Sequence, residues 1–398
     1  MLLAGYLVAR TVLGALLNPP LNGPDEGGHV EYVRSLVASG GRHVSGAEAR
    51  QPPTYYFVAA LPWQAAAGTA SHTQLFWTRL AGIVGGLLTL VCAWAGAQAL
   101  WPERPTRRLA VASIAALAPG YLYLLSSVNN DPLAAGLASV AVVAAIRLWK
   151  GETRRRWTLT WVAASAAAPA TKLTAAPVVV AMAAALCWRY RTALLRPRWT
   201  RAAGMVVAFA TVGGYLFLLS RHPTTSAAAA AAHFAPPAVV RAPFAYLSQR
   251  GFAESFRTFW YAYDYAVTWP PAVEGALAGS AALLCLLAVL GLIFERPPLP
   301  GLVWAATGVQ VALVLARYGL ADVLHVSLAG AAQAKSFFPA IVPASLLLVG
   351  GMAAALRRLW GARERWMGLA VFVWLVALDA VSLTLLVWHH YRWWTALP

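Results

Sequence analysis

The chain has 398 residues, of which 60% are hydrophobic and 11% charged, and its mean hydropathy is +0.61. That composition excludes a soluble globular domain. The formal charge of +17 falls in short turns between apolar runs, which excludes nucleic acid as a partner and marks a polytopic membrane protein with basic inner turns.

Residues 1–18 form a first apolar helix without a basic leader or a small-residue cleavage site, so a removable signal peptide is not expected. Arg10 lies in its middle and must face protein or snorkel, and a true start further upstream would account for the odd terminus. A loop over 19–78 follows. Within it, NGPDEGGHVEYVRSLVASGG predicts a short helix with Pro24 at its first position and Asp25 and Glu26 in its first turn. Gly40-Gly41 supplies the stop, and Asp25 and His29, four residues apart, share a face. Gln51-Pro52-Pro53-Thr54-Tyr55-Tyr56 reads as a rigid turn into an interfacial helix with its tyrosines at headgroup level.

Helices over 79–100, 108–126 and 132–149 come next, joined by WPERPTRR and SSVNNDP and closed by KGETRRR. The basic turns read as cytoplasmic, which puts the 19–78 loop and Asn129-Asn130-Asp131 outside. The run 157–188 cannot be a single crossing without violating the charge bias. Pro169 and Pro177 break it into a hairpin of two short helices with Lys172 near the tip. A helix over 202–220, a second exterior loop over 221–274 and helices at 275–294, 301–317, 337–356 and 367–388 complete the chain. Asp379, inside the last of these, is an intramembrane acid that calls for a helix-packing hydrogen bond or an arginine partner. The expected fold is an all-α polytopic membrane protein of about eleven transmembrane helices, one domain over 1–398, with extracytoplasmic loops 19–78 and 221–274 as a cap. The three cysteines, Cys92, Cys187 and Cys285, lie in or at the ends of apolar runs and indicate neither a disulfide framework nor a zinc site.

The chain holds only fourteen acidic residues, and two of them stand side by side at a membrane exit. Asp25 or Glu26 could take a proton from an acceptor hydroxyl, or both could simply stabilise the helix start. Only three lysines occur, and Lys150 belongs to a cytoplasmic turn. Lys172 and Lys335 stand where a phosphate could be held, although snorkelling or interfacial anchoring would also explain them. His29 could orient Asp25, contact a phosphate, or join Asp25 and Asp131 as ligand to a divalent metal. The aromatics of FRTFWYAYDYAVTWPP, 256–271, suit either sugar stacking, with Arg257 or Asp264 nearby, or an interfacial belt.

The acidic pair after the first helix, followed by the proline-proline-aromatic segment, resembles the first exterior loop of the GT-C membrane glycosyltransferases. The likeness is to the protein O-mannosyltransferase and aminoarabinose-transferase branch and its uncharacterised bacterial relatives. Val128-Asn129-Asn130-Asp131 resembles the second exterior acidic motif of that family, and Ala170-Thr171-Lys172-Leu173-Thr174 its lysine-bearing segment. Gln333-Ala334-Lys335-Ser336-Phe337-Phe338-Pro339 looks like the late motif, with Lys335 and Ser336 where many relatives carry arginine and tyrosine. The resemblance implies inverting transfer of a sugar from a polyprenyl-phosphate donor to a hydroxyl of a protein, glycan or lipid acceptor, outside the plasma membrane of a bacterium. It implies Asp25 as base with Glu26 beside it, and His29, Tyr55, Asp131, Lys172 and Lys335 around the substrates. Asp25, Asp131 and a cation should then border one cavity that opens to lipid. The rival is a transporter or flippase of a lipid-linked glycan, favoured by the broken hairpin with its lysine. Against it stand the polar residues, which gather at the outer edge, and the lack of two related halves.

Overall fold

A computed structural model describes residues 1–152, 154–191, 251–261, 270–294, 299–323 and 334–391. The expected helix over 202–220, most of the second exterior loop with Asp264, and Gln333 lie outside the described residues. The architecture among the described residues is all-helical and polytopic. Five helices are long and apolar enough to cross a membrane, or six if the bent pair below is one span, and three shorter apolar helices join them. The protein is an integral membrane protein.

Helix α1 spans Leu2–Leu17. Three short helices follow: α2 (Glu26–Ala38) and α3 (Thr54–Ala65), where short helices were expected within the loop, and α4 (Ser71–Arg79), where none was. They form a cap with its own apolar core of Tyr32, Val33, Leu36, Tyr55, Tyr56 and Leu75, which continues onto Val128 and Leu133 of the bundle. This core explains why so polar a stretch folds: each short helix alone is marginal and gains its stability by burying one apolar side against the others.

Helix α5 (Gly82–Leu100) runs away from the cap and α6 (Pro105–Leu117) returns to it. The expected helix 108–126 is broken at Ala118-Pro119, where α7 (Pro119–Leu125) departs by 53°. The proline explains the break, because it removes an N–H from the helical ladder and clashes with the preceding turn. The bend carries Ser126–Asn130 beneath the cap as fully buried backbone. Helix α8 (Asp131–Trp149) starts there and packs parallel to α5, Gly85 lying against Pro132 and Gly96 against Val143.

The α5–α8 crossing needs glycine. A Cβ at Gly85 would lie 2.3 Å from the carbonyl carbon of Pro132, and one at Gly136 would lie 2.8 Å from the carbonyl oxygen of Gly85. Small residues let the two backbones meet. Gly85→Ala should therefore cost about 1–3 kcal/mol by overpacking. An unchanged unfolding midpoint in detergent would contradict the close approach.

The 157–188 run is the expected hairpin. Helix α9 (Arg155–Thr171) and helix α10 (Ala176–Arg189) are joined at Lys172 and a short 3-10 turn, Leu173–Ala175. Further helices cover Pro271–Phe294, Gly301–Val323, Ile341–Trp360 and Met367–Tyr391, with a 3-10 turn at Ala334–Ala340 before the third of these. Asp379 and Arg10, flagged separately in the sequence, find each other. Arg10 Nε donates to Asp379 Oδ2 at 2.7 Å, with Tyr6 Oη donating to the same oxygen at 2.8 Å, and this fastens α1 to the last helix.

Candidate active site

The adjacent acids go to different places. Asp25 does not enter the helix: it sits at the N-cap in the left-handed region, φ 59°, so α2 begins at Glu26 and Pro24 precedes it. This corrects the expectation that Pro24 opens the helix with both acids in its first turn. Asp25 keeps about half of its side chain exposed and accepts a charge-assisted hydrogen bond from Lys335 Nζ.

Glu26 is wholly buried, and both its oxygens are engaged. Arg79 at the end of α4 grips it with two hydrogen bonds of 2.8 Å, from Nε to Oε1 and from Nη2 to Oε2. The backbone N–H groups of Val128 and Gly23 donate to the same carboxylate at 2.9 and 3.2 Å. Arg79 also donates to the carbonyls of Ala15, Asn18 and Pro19, which are left open as α1 ends. The pair therefore ties together α1, α2, α4 and the turn before α8, and it offers Glu26 no free oxygen for a substrate.

His29 is buried under the cap, its Nδ1 2.8 Å from the hydroxyl of Tyr56. Burial, and then the positive Lys172 nearby, push the imidazole down to about 3, so it is neutral at physiological pH. A neutral, buried ring is no cation for a phosphate, which leaves orientation as its chemistry. Tyr56 in turn stacks on Tyr32 with ring centroids 3.5 Å apart. Tyr55 is fully buried and its hydroxyl accepts the N–H of Asn129 at 2.9 Å. The two tyrosines thus lie buried inside the cap, where each hydroxyl finds a partner.

Asp131 starts α8 beneath the cap, with its N–H donating to Asn129 Oδ1 at 2.8 Å. Lys172 Nζ donates to its Oδ2 at 2.7 Å, while Oδ1 is buried with no hydrogen-bond partner among the described residues. Thr54 and Asn130 reach the carbonyls of Ala170 and Thr171, at 2.7 and 3.4 Å, and so hold the hairpin tip against the cap. Lys335 enters from the Ala334–Ala340 turn, which packs on α8. One residue sets both cationic segments. Gln310, buried in the Gly301–Val323 helix, donates from its amide nitrogen to the carbonyl of Thr174 at 3.1 Å and to that of Ser336.

The result is two acid–lysine pairs around one point. Burial raises the Asp25 carboxyl. The Lys335 ammonium, with Lys172 behind it, outweighs that and holds it below the ordinary carboxylate range. Asp25, His29, Lys172 and Lys335 all lie within electrostatic reach of one another, and Asp131 is joined to them through Lys172. Of the residues expected from the sequence, Asp25 is exposed, and Lys335, next to it, is partly so. Glu26, His29, Tyr55, Asp131 and Lys172 are buried around them.

A cavity of 390 Å³ lies on the other side of the Ala334–Ala340 turn, lined by Phe252, Phe256, Phe259, Trp260, Val311 and Phe337 among others. It is almost entirely apolar. Neither Asp25 nor Asp131 lines it; the apolar groove and the ion-paired site lie one turn apart. The aromatics of residues 252–260 face this groove.

Asp25, His29 and Asp131 do not fit a divalent cation. Among the described residues no three His, Cys, Asp or Glu side chains are grouped closely enough to hold one, and each of the two carboxylates already faces an ammonium.

No protein-family model matches this sequence, and no curated protein matches it. Solved structures do. ArnT from Cupriavidus metallidurans, bound to undecaprenyl phosphate, aligns over 97% of this chain and 73% of its own, with a TM-score of 0.52 and 17% identity. The chain shares the fold of ArnT. The apo structure of ArnT aligns over 90% of this chain and 77% of its own, with a TM-score of 0.41 and 17% identity. At this identity the likeness is one of fold.

Sequence reasoning missed Arg79 and Gln310. Each had a faint signal, being a lone polar residue in or against an apolar run, which in a bilayer asks for a buried partner.

Proposed function

We propose that the protein transfers a sugar from a polyprenyl-phosphate donor to an acceptor hydroxyl at the Asp25 site. The observation that carries this reading is the Asp25–Lys335 pair: an exposed carboxylate and a cation side by side, one turn from an apolar groove. The donor's isoprenoid tail suits the Phe252–Trp260 groove, and its phosphate then falls beside Lys335. The acceptor oxygen attacks the anomeric carbon as the bond from that carbon to the phosphate oxygen breaks. Its proton passes to Asp25, the leaving polyprenyl phosphate keeps the bonding pair, and Lys335 neutralises the charge it gains. Attack without a covalent intermediate inverts the anomeric centre. Asp131 holds Lys172 in place, and Lys172 adds positive potential behind the phosphate.

This reading gives the resting ion pair a role. Lys335 cannot fully serve the phosphate and Asp25 at once, so donor binding draws it away. With its counter-ion withdrawn, the partly buried carboxyl rises towards or above its ordinary value and becomes a better base. Lys335→Met should do the same permanently. The acid limb of the pH–rate profile moves to higher pH, the donor KM rises, and Lys335→Arg restores both. An acid limb that stays in place in Lys335→Met would remove Asp25 as the titrating group.

The direct test is a proteoliposome assay with polyprenyl-phosphate sugars and small hydroxyl acceptors, following release of polyprenyl phosphate. Sealed vesicles of known protein orientation also report which face carries the reaction; the basic turns are the ground for expecting it outside the cytoplasm. Absence of transfer with every pentose and hexose donor tried would count against the proposal.

A further inference from the structure

The end of the bundle opposite the ion-paired site holds a second concavity. The Ile341–Trp360 helix begins beside Lys335 and ends at this place, where α5 gives way to α6 and the last helix starts. The cavity measures 540 Å³, and Glu103, Arg104, Thr106, Arg357, Glu364 and Arg365 line it. Its arginines come from three separate elements: the α5–α6 turn, the end of the Ile341–Trp360 helix, and the 3-10 turn Gly361–Trp366.

The charges do not cancel. Glu364 accepts two hydrogen bonds from Arg107, one of them 3.0 Å long, and lies 3.5 Å from Arg357. Its charge is therefore taken up inside the wall. Among the described residues neither Arg104 nor Arg365 makes a direct ion pair, although Arg104 lies within electrostatic reach of Glu364, and both are exposed at the mouth with Glu103. The depth is marked by tryptophans. The guanidinium of Arg107 lies 5.3 Å from the Trp101 ring, that of Arg108 lies 5.2 Å from Trp94, and that of Arg365 lies 5.7 Å from Trp366. Tryptophan and arginine together at the end of apolar helices place the cavity at headgroup level.

We propose that this cavity binds the phosphate of an anionic phospholipid headgroup from the leaflet opposite the Asp25 site. Guanidinium groups suit a phosphate because their planar donors can pair with two oxygens at once. Basic pockets between transmembrane helices at a membrane surface take anionic headgroups on this physical basis. The inference does not depend on the transferase reading.

The test uses the delipidated full-length protein, titrated with phosphatidylglycerol or phosphatidylcholine and followed by native mass spectrometry. The expected result is selective retention of phosphatidylglycerol, weakened about fivefold or more in Arg104→Gln/Arg365→Gln and weakened again by raised salt. Glu103→Gln removes a negative charge from the mouth and should tighten binding. All three residues are exposed, so the variants should fold. Arg155→Gln/Arg156→Gln, at the exposed start of α9 outside the cavity, serves as a control and should leave the affinity unchanged. A loss in the control equal to that in Arg104→Gln/Arg365→Gln, or no loss in the latter, would overturn the site. Inorganic phosphate that displaces the lipid at equal concentration would show that the ligand is soluble phosphate and overturn the lipid assignment.

Discussion

Asp25→Asn should leave a folded protein whose transfer rate has fallen about 10²–10⁴-fold, the usual worth of a positioned general base. The substitution is chosen for its backbone. Asp25 lies at φ 59°, a region that asparagine tolerates nearly as well as aspartate, whereas alanine or a branched residue would be strained there. The side chain is half exposed, so loss of its pair with Lys335 costs little stability, within about 1 kcal/mol. The amide keeps the shape and accepts a hydrogen bond from Lys335, but it cannot take the acceptor's proton. Stability should therefore stay near wild type and the donor should bind at least as tightly, since Lys335 is released from its ion pair, while kcat collapses. Full turnover in Asp25→Asn would end the case for this residue as the base.

Glu26→Gln, one position along, should behave in the opposite way. Its carboxylate is buried and matched to Arg79, and removing one member of such a pair leaves the other charge buried without compensation, at a cost of about 3–5 kcal/mol. Arg79→Ala should lose a similar amount and also leave the carbonyls at the end of α1 without donors. The double variant Glu26→Met/Arg79→Met should lose less than the two single variants together, because neither charge remains. Thermal unfolding in detergent measures all three. Any Glu26→Gln molecules that fold at low temperature should turn over at close to the normal rate, since the role assigned to Glu26 is to position the cap. Normal stability with abolished turnover would reverse the roles of the two acids.

The contrast between these neighbours shows how far the sequence could be read. That an acid beside the first membrane exit, the acid that starts α8, a lysine at a proline-broken hairpin and a lysine before a late helix should stand near one another was implied by the family resemblance, and the structure brings them together as two acid–lysine pairs. The hairpin itself and the need of Asp379 for a partner were legible from the residues. So were two of the cap's short helices, but α4 and the packing of the cap were not: its helices hold together because Tyr32, Leu36, Tyr55, Tyr56 and Leu75 bury one another across stretches far apart in sequence. The apolar groove was hidden for a related reason. The same periodic aromatics serve an interfacial belt or a cavity wall, and only the neighbouring helices decide which.

What the residues determine by themselves is the solvent the chain lives in and where along it the polar exceptions fall, since hydropathy and proline act locally. Which of two adjacent carboxylates remains open was decided only by tertiary structure. A left-handed residue at position 25 separates their directions, and an arginine 53 residues further on captures one while a lysine 310 residues away meets the other. No local rule contains those partners, because burial and ion pairing depend on what the rest of the fold brings alongside.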